Sequence, residues 1–253
     1  MNQDIKSESP QGVELITPYG DSRHKTAQVQ EMFDSIAPAY DFMNRAMTMG
    51  IDKLWRSKAV KRLKDARVKR VLDVATGTGD LAIKIARELP ESSITGIDLS
   101  EGMIEVGRKK VKDAGLDGRI SFMQADCLEL PFADGEFDAI TVAFGVRNFE
   151  RLLEGYREMY RVLHHGGLLC VLELSTPKGA LTRPMYNLYT RHIIPLAGRL
   201  ISKDVRAYSY LPESIAAVAQ GEEMCKLMRE AGFSDARAHA MTFGTCTLYT
   251  ARK

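Results

Sequence analysis

Two rhythms of apolar and polar positions run through this chain. Short continuous apolar runs recur at Val71-Leu72-Asp73-Val74-Ala75, Ser93-Ile94-Thr95-Gly96-Ile97, Arg119 to Ala125, Phe137 to Phe144 and Leu168 to Leu174. Runs of this length, bounded by turn residues, predict buried strands. Between them the spacing turns helical, with Leu81, Ile83, Ile85 and Ala86 after the first run, a helix from Glu101 to about Ala114 behind the N-cap Ser100, and another from Glu150 to Leu163. Strand and helix alternating in this way predict an α/β fold with a mostly parallel sheet. A helix from about Gly221 to Ala231 stops at Gly232 and leads to strands Ala236 to Phe243 and Cys246 to Ala251. The short turn around Gly244 makes that last pair antiparallel. Seven strands result.

The flanking segments read differently. Residues 1–25 mix Ser, Glu, Gln, Pro and Gly without periodicity and predict a flexible tail, leaving 26–253 as one domain. Val29, Met32, Phe33 and Ile36 share a helical face that Pro38 ends. The aromatic and Met-rich stretch from Ala39 to Trp55 reads equally as a cover over an apolar ligand or as a helical pair on the sheet edge. A helical insertion at about 180–215 interleaves Tyr186, Leu188, Tyr189, Ile193, Ile194, Leu196, Leu200 and Ile201 with Arg183, Arg191, Arg199, Lys203 and Arg206, and Pro184 and Pro195 limit helix length there. It suits a cap over the sheet, a wall of a greasy pocket, or a contact with an anionic bilayer.

Composition narrows the classes. With a net charge of +2 on 253 residues, no whole-molecule field draws the chain to nucleic acid. Cys127, Cys170, Cys225 and Cys246 have neither CxxC spacing nor a companion His, so the reading is reduced thiols and no metal site. His164 and His165 belong to a solvated turn made by Gly166 and Gly167. No apolar leader opens the sequence and no run approaches the ~20 apolar residues of a membrane span. The expected location is cytoplasmic, with a peripheral membrane contact left open.

Chemistry enters at Asp73 to Ala82. Gly77, Gly79 and Ala82 have nucleotide-binding spacing, in which the glycines permit a tight turn and close approach of a ligand to the main chain. Asp98 ends the second strand nineteen positions after Gly79, where a carboxylate reaches a ribose diol. Asp80, at the first helical position, would repel a pyrophosphate and suits a cationic ligand such as S-adenosylmethionine, although plain helix-dipole complementarity explains it equally. Asp126, at the end of the third strand, could accept from an adenine amine. Arg147 and Asn148, just past the fourth strand, share that crevice and form the candidate reaction centre, with the Tyr40 hydroxyl facing the ligand.

These segments resemble a known family. Val71 to Ala82, Asp98-Leu99-Ser100-Glu101-Gly102-Met103 and Gln124-Ala125-Asp126 look like the Rossmann-like class I S-adenosylmethionine-dependent methyltransferases. Phe144-Gly145-Val146-Arg147-Asn148, Phe33 to Asp41 and Tyr208 to Ile215 resemble the ubiquinone/menaquinone biosynthesis C-methyltransferases from about Ala27 onward. The resemblance implies C-methylation of a polyprenylated quinol, with Asp73, Gly77, Thr78, Gly79, Asp98, Leu99, Asp126, Cys127 and Ala143 at the cofactor and Arg147, Asn148 and Tyr40 at the reacting ring. Ala143 stands where the family often has Ser, and His164-His165 where it has Lys-Pro. The turn Ala75 to Gly79 resembles the menaquinone-only members, which implies demethylmenaquinol as acceptor. A dual role that includes the methoxy-benzoquinol of ubiquinone synthesis, and a non-catalytic partner of quinone-pathway enzymes, are the alternatives. Homodimer or complex formation stays open.

Overall fold

A computed structural model describes residues 12–180, 182–188 and 205–253. Helices α1 (Lys25–Ile36), α2 (Tyr40–Thr48) and α3 (Asp52–Ala66) precede the sheet. The alternating part runs β1 (Arg70–Val74), α4 (Asp80–Glu88), β2 (Ser93–Asp98), α5 (Glu101–Asp113), β3 (Ile120–Gln124), β4 (Phe137–Ala143), α6 (Leu152–Val162) and β5 (Leu163–Leu174). It continues through α7 (Thr182–Leu188), α8 (Val205–Ala217), α9 (Glu222–Glu230), β6 (Ser234–Met241) and β7 (Cys246–Arg252).

The seven strands form one sheet in the order β3-β2-β1-β4-β5-β7-β6, with β7 antiparallel to both neighbours and every other pair parallel. Strand order reverses between β1 and β4, so a crevice opens beyond their carboxyl ends, the usual ligand site of such sheets. Register aligns those ends: Val74 lies beside Ile97 and Val142, and Asp98 beside Gln124. One sheet face packs Leu72, Ile140, Leu169 and Val171 against α6 and α9, with Tyr156 and Met159 fully buried. The other packs Val71, Ala139 and Cys170 against α3 and α4 through Val60, Leu63, Ile85 and Ala82. Continuous apolar strands follow from helices on both faces.

Two segments depart from the sequence reading, and a third lies partly outside the described residues. Residues 12–24 are docked: Val13 is buried, and Glu14 accepts a hydrogen bond from the Leu152 backbone N–H at 2.7 Å. A tail reaching residue 25 is therefore corrected, and residues 1–11 lie outside the described residues. The reason is Lys25, whose buried Nζ donates to the Val13 carbonyl at 2.6 Å and ties the segment down. Second, His164 to Gly167 form a wide bulge inside β5, since Phe137 pairs with Leu163 and Ala139 with Leu168. Gly166 adopts φ 78° there and donates to the Lys253 carbonyl, so the histidines stay exposed. Third, α7 and α8 stand where the insertion was expected, while Tyr189, Arg191, Ile193, Ile194, Pro195, Leu196, Arg199, Leu200, Ile201 and Lys203 lie outside the described residues. All four cysteines are free and buried. No described helix is long and apolar enough to cross a membrane.

Candidate active site

The chain turns sharply at the ends of β1 and β4. Ala75 (φ 51°) follows β1 and Phe144 (φ 62°) follows β4, both in the left-handed region that disfavours side chains. Such strain gathers at ligand sites, where the surrounding structure over-determines it. Gly145 makes the two turns compatible, because a Cβ there would lie 2.6 Å from Ala75 Cβ. In the first turn Gly77 and Gly79 also have positive φ, and a Cβ on Gly79 would lie 2.6 Å from the Phe122 ring.

A narrow crevice of about 60 Å³ sits on these turns, bordered by Gly77, Asp98, Leu99, Asp126, Cys127 and Ala143. Tyr40, Phe144 and Asn148 border it too, and α1 covers it with Val29 and Phe33. Asp98 is held ready: its carboxylate accepts from the Gly77 N–H at 2.7 Å and the Ser100 N–H at 3.0 Å, and burial pushes its pKa up to about 6. Asp126 accepts from the Leu128 N–H at 2.9 Å, which fixes the β3 end. Burial raises the Cys127 thiol well above its ordinary value, so it acts as an apolar neighbour.

No Lys or Arg borders this crevice among the described residues, while Asp98, Asp126 and Glu150 do. That set of acceptors disfavours a pyrophosphate and fits S-adenosylmethionine, whose ribose diol and adenine amine would find acceptors in Asp98 and Asp126, with apolar Leu99, Met103 and Cys127 beside them. The crevice itself carries this argument, since Asp80 cannot. Burial raises the Asp80 pKa, but Lys110, 2.5 Å away, outweighs it and holds the carboxylate below its ordinary value. Its charge is already paired within the protein.

Three expected cofactor residues lie off the crevice. Asp73 is buried one layer deeper, accepting from the Thr76 hydroxyl at 2.7 Å and the Thr141 hydroxyl at 2.5 Å. Burial lifts its pKa to about 6. It braces the turn instead of meeting a ligand side-on. Thr78 donates to Asp41 at 2.5 Å and accepts from Lys110 at 3.1 Å. Gly79 packs on Phe122.

The reaction-centre residues Tyr40, Arg147 and Asn148 border one small pocket together, and they divide between two further spaces. Beside the crevice lies an apolar cavity of about 620 Å³, bordered by Tyr40, Trp55, Phe144, Arg147, Leu174 and Tyr186 among others. Tyr40 and Phe144 border both spaces. Arg147 faces the cavity and does not border the crevice, whereas Asn148 borders the crevice. The strained turn aims Arg147, whose Nη1 donates back to the Phe144 carbonyl. Nη1 also donates to Glu173 at 2.8 Å, and Glu173 accepts from the Arg147 and Leu174 backbone N–H groups. Burial works against the guanidinium charge, but Glu173 more than offsets it and raises the pKa. Asn148 accepts from the Tyr210 hydroxyl at 3.2 Å, which orients its amide. Burial likewise raises the Tyr40 phenol, so it stays a neutral donor.

Several functional groups escape a sequence reading. Glu173 looks like a strand residue, though a carboxylate within Leu168 to Leu174 signals a buried charge that needs a partner. Lys25 supports Arg147 from behind by donating to its carbonyl at 3.1 Å, and burial pushes that lysine's pKa down to about 8. The cover is latched to α5 twice. Asp34 accepts from the Ser100 hydroxyl at 2.5 Å and the Gly102 N–H at 3.1 Å, and Lys110 donates to Asp41 at 2.6 Å.

Known proteins resemble this chain in sequence and in fold. Residues 21–253 match the model of the ubiE/COQ5 methyltransferase family. A demethylmenaquinone methyltransferase of Bacteroides fragilis is 52% identical over 95% of this chain and 98% of its own length. One from Porphyromonas gingivalis is 48% identical over 96% and 100%. A ubiquinone/menaquinone biosynthesis C-methyltransferase of Geotalea daltonii is 46% identical over 90% and 97%. Among solved structures, the [4+2]-cyclase SpnF (TM-score 0.66, 19% identity, covering 90% of this chain and 96% of that one) shares the fold. So does an S-adenosylmethionine-dependent methyltransferase from Aquifex aeolicus (0.56, 20%, 76% and 88%). With glycine turn, acidic strand ends and Arg147-Asn148 all in place, the chain belongs to the ubiE/COQ5 methyltransferase family.

Proposed function

We propose that this protein methylates a ring carbon of demethylmenaquinol, with S-adenosylmethionine as methyl donor. One observation carries the reading: Tyr40 and Phe144 form a shared wall between an acid-lined crevice and an apolar cavity that contains Arg147. A polar nucleoside on one side and a greasy ring on the other would meet there. Bound S-adenosylmethionine supplies a methyl already activated on its sulfonium, so the chain needs no nucleophile of its own. Its residues must align the ring for in-line attack and stabilise a phenolate that makes the neighbouring carbon electron-rich.

Arg147 holds the ring oxygen next to the reacting carbon; it stays protonated and is not the base. Asn148 and Tyr40 fix the ring at the wall. The C–CH₃ bond forms as the CH₃–S bond breaks, and loss of the ring C–H proton restores aromaticity. The products are methylated quinol, S-adenosylhomocysteine and one proton.

Exposed Met49 and Phe243 border the cavity, and exposed Phe42, Leu54 and Leu188 lie on the elements beside it. An apolar rim of this kind suits a prenyl chain drawn from a bilayer surface, which supports a peripheral membrane contact. The relative named for both quinone pathways favours a second reading, a dual-acceptor enzyme. Methyl transfer from labelled S-adenosylmethionine to reduced demethylmenaquinone and to the reduced methoxy-benzoquinol, side by side in detergent, tests both. Label in the naphthoquinol alone is the expected result, label in both supports the dual enzyme, and label in neither refutes the substrate assignment.

A further inference from the structure

The cavity contains a second buried arginine. Arg56, on α3, is 7% exposed and its neighbour in charge, Asp52, 3%. Asp52 accepts from Arg56 Nη1 and from the Thr48 hydroxyl at 3.0 Å, which fixes the carboxylate. The guanidinium lies over the Phe144 ring, 5.3 Å from its centroid. Asp52, Arg56 and Arg147 are the charged residues that border the cavity among the described residues.

The two arginines are built alike. Each spends Nη1 on a carboxylate, Asp52 or Glu173, and each leaves a buried Nε without a partner. A buried charged donor left unpaired is costly, and proteins keep such groups where a ligand or strain explains them. Both guanidiniums border the cavity that Tyr40 and Phe144 wall. An apolar chamber with two cationic forks suits a flat ring carrying two oxygens, one for each fork.

We infer that Arg56, held by Asp52 and stacked on Phe144, is a second oxygen-binding residue of the acceptor pocket, and that it takes the ring hydroxyl farther from the methylated carbon. This rests on the quinol reading above. It makes Arg56 a positioning and specificity residue: it selects para-dihydroxy rings over simple phenols and prevents the ring from rotating about the oxygen held by Arg147. A site built to bond a substrate hydroxyl discriminates strongly against the analogue that lacks it.

The test pairs a short-chain prenylated 1,4-naphthalenediol with the same molecule lacking the distal hydroxyl. Wild-type enzyme is compared with Arg56→Met and with the double variant Asp52→Asn/Arg56→Gln, which leaves no lone buried charge if the single variant misfolds. Binding is read separately from turnover by quenching of Trp55, the single tryptophan of the chain, which borders the same cavity. Wild type should prefer the diol by about 10- to 100-fold in kcat/KM and in affinity, the value of one charge-assisted hydrogen bond. In the variants the preference should collapse to within about threefold of unity, the diol losing far more than the mono-ol. An unchanged preference, with both acceptors falling together, would show that Arg56 only supports the wall and overturn the inference. Wild type that accepts both equally would also overturn it and leave the quinol reading standing. Wild type that binds and methylates neither would sink the quinol reading itself.

Discussion

Glu173→Gln should cripple this protein although it changes one atom and touches no ligand. Three donors converge on the buried carboxylate: the Arg147 backbone N–H at 3.2 Å, Arg147 Nη1 at 2.8 Å and the Leu174 N–H at 2.8 Å. Nη1 and the Leu174 N–H share Oε1, which a glutamine carbonyl can replace. The Arg147 N–H uses Oε2, where the glutamine NH₂ would oppose one donor with another. Removing one charge of a buried pair costs about 3–5 kcal/mol, because the remaining guanidinium is left uncompensated. Against a typical total of about 5–15 kcal/mol, such a loss is severe. Urea unfolding should show a midpoint lower by about 1–2 M, and kcat/KM should fall at least ~100-fold as Arg147 loses its anchor. Adding Arg147→Met to Glu173→Gln removes the lone charge, so the double variant should regain most of the stability and none of the activity. A single variant that lost under ~1 kcal/mol, or a double variant less stable than the single, would refute the assignment of Glu173 as the counter-charge.

Three further outcomes follow from the site. Gly145→Ala sets a Cβ 2.6 Å from Ala75 Cβ and 3.1 Å from Val142 Cγ1, so calorimetry should show the fold weakened by about 1–3 kcal/mol and S-adenosylhomocysteine bound several-fold more weakly; unchanged binding would detach Ala75 from the cofactor turn. Burial holds Asp98 near pKa 6 against an ordinary 3.8, so cofactor affinity should fall up to about tenfold per unit as pH drops below 6. Over the same range the folded state takes up this proton more readily than the unfolded chain, so the group's contribution to stability rises as pH falls from 6 to 3.8. Acid thus weakens binding without this group unfolding the protein, and Asp98→Asn should flatten the affinity profile. Lys110→Met leaves Asp41 and Asp80 facing each other without their shared cation, so the cover should loosen and limited proteolysis within 40–48 should accelerate; equal cleavage rates would show the latch to be idle.

The sequence by itself determined the αβ alternation, the antiparallel last strand and the position of the ligand crevice. These rest on local causes: glycine backbone freedom at Gly77 and Gly79, the period of apolar residues, and the rule that acidic residues at strand ends face the switch point. Local pattern left Asp80 open between a cationic ligand and the helix dipole, and it says nothing of the partners that Thr78 and Asp73 find inside the fold. Whether a carboxylate meets a ligand or a lysine is decided by what packs beside it, and Lys110 comes from thirty positions away on another helix. Residues 12–24 looked unstructured because their hold depends on one distant contact network through Lys25, Arg147 and Glu14. Arg147 and Asn148, adjacent in sequence on one 3-10 turn (Val146–Asn148), share a small pocket with Tyr40, yet only Arg147 borders the large cavity and only Asn148 the crevice. Only the tertiary structure could bring Asp52-Arg56 from α3 and Arg147, from the turn after β4 and paired with Glu173 of β5, to one apolar chamber. Buried charges need partners, and the chain finds those partners by folding, at distances along the sequence that no local pattern encodes.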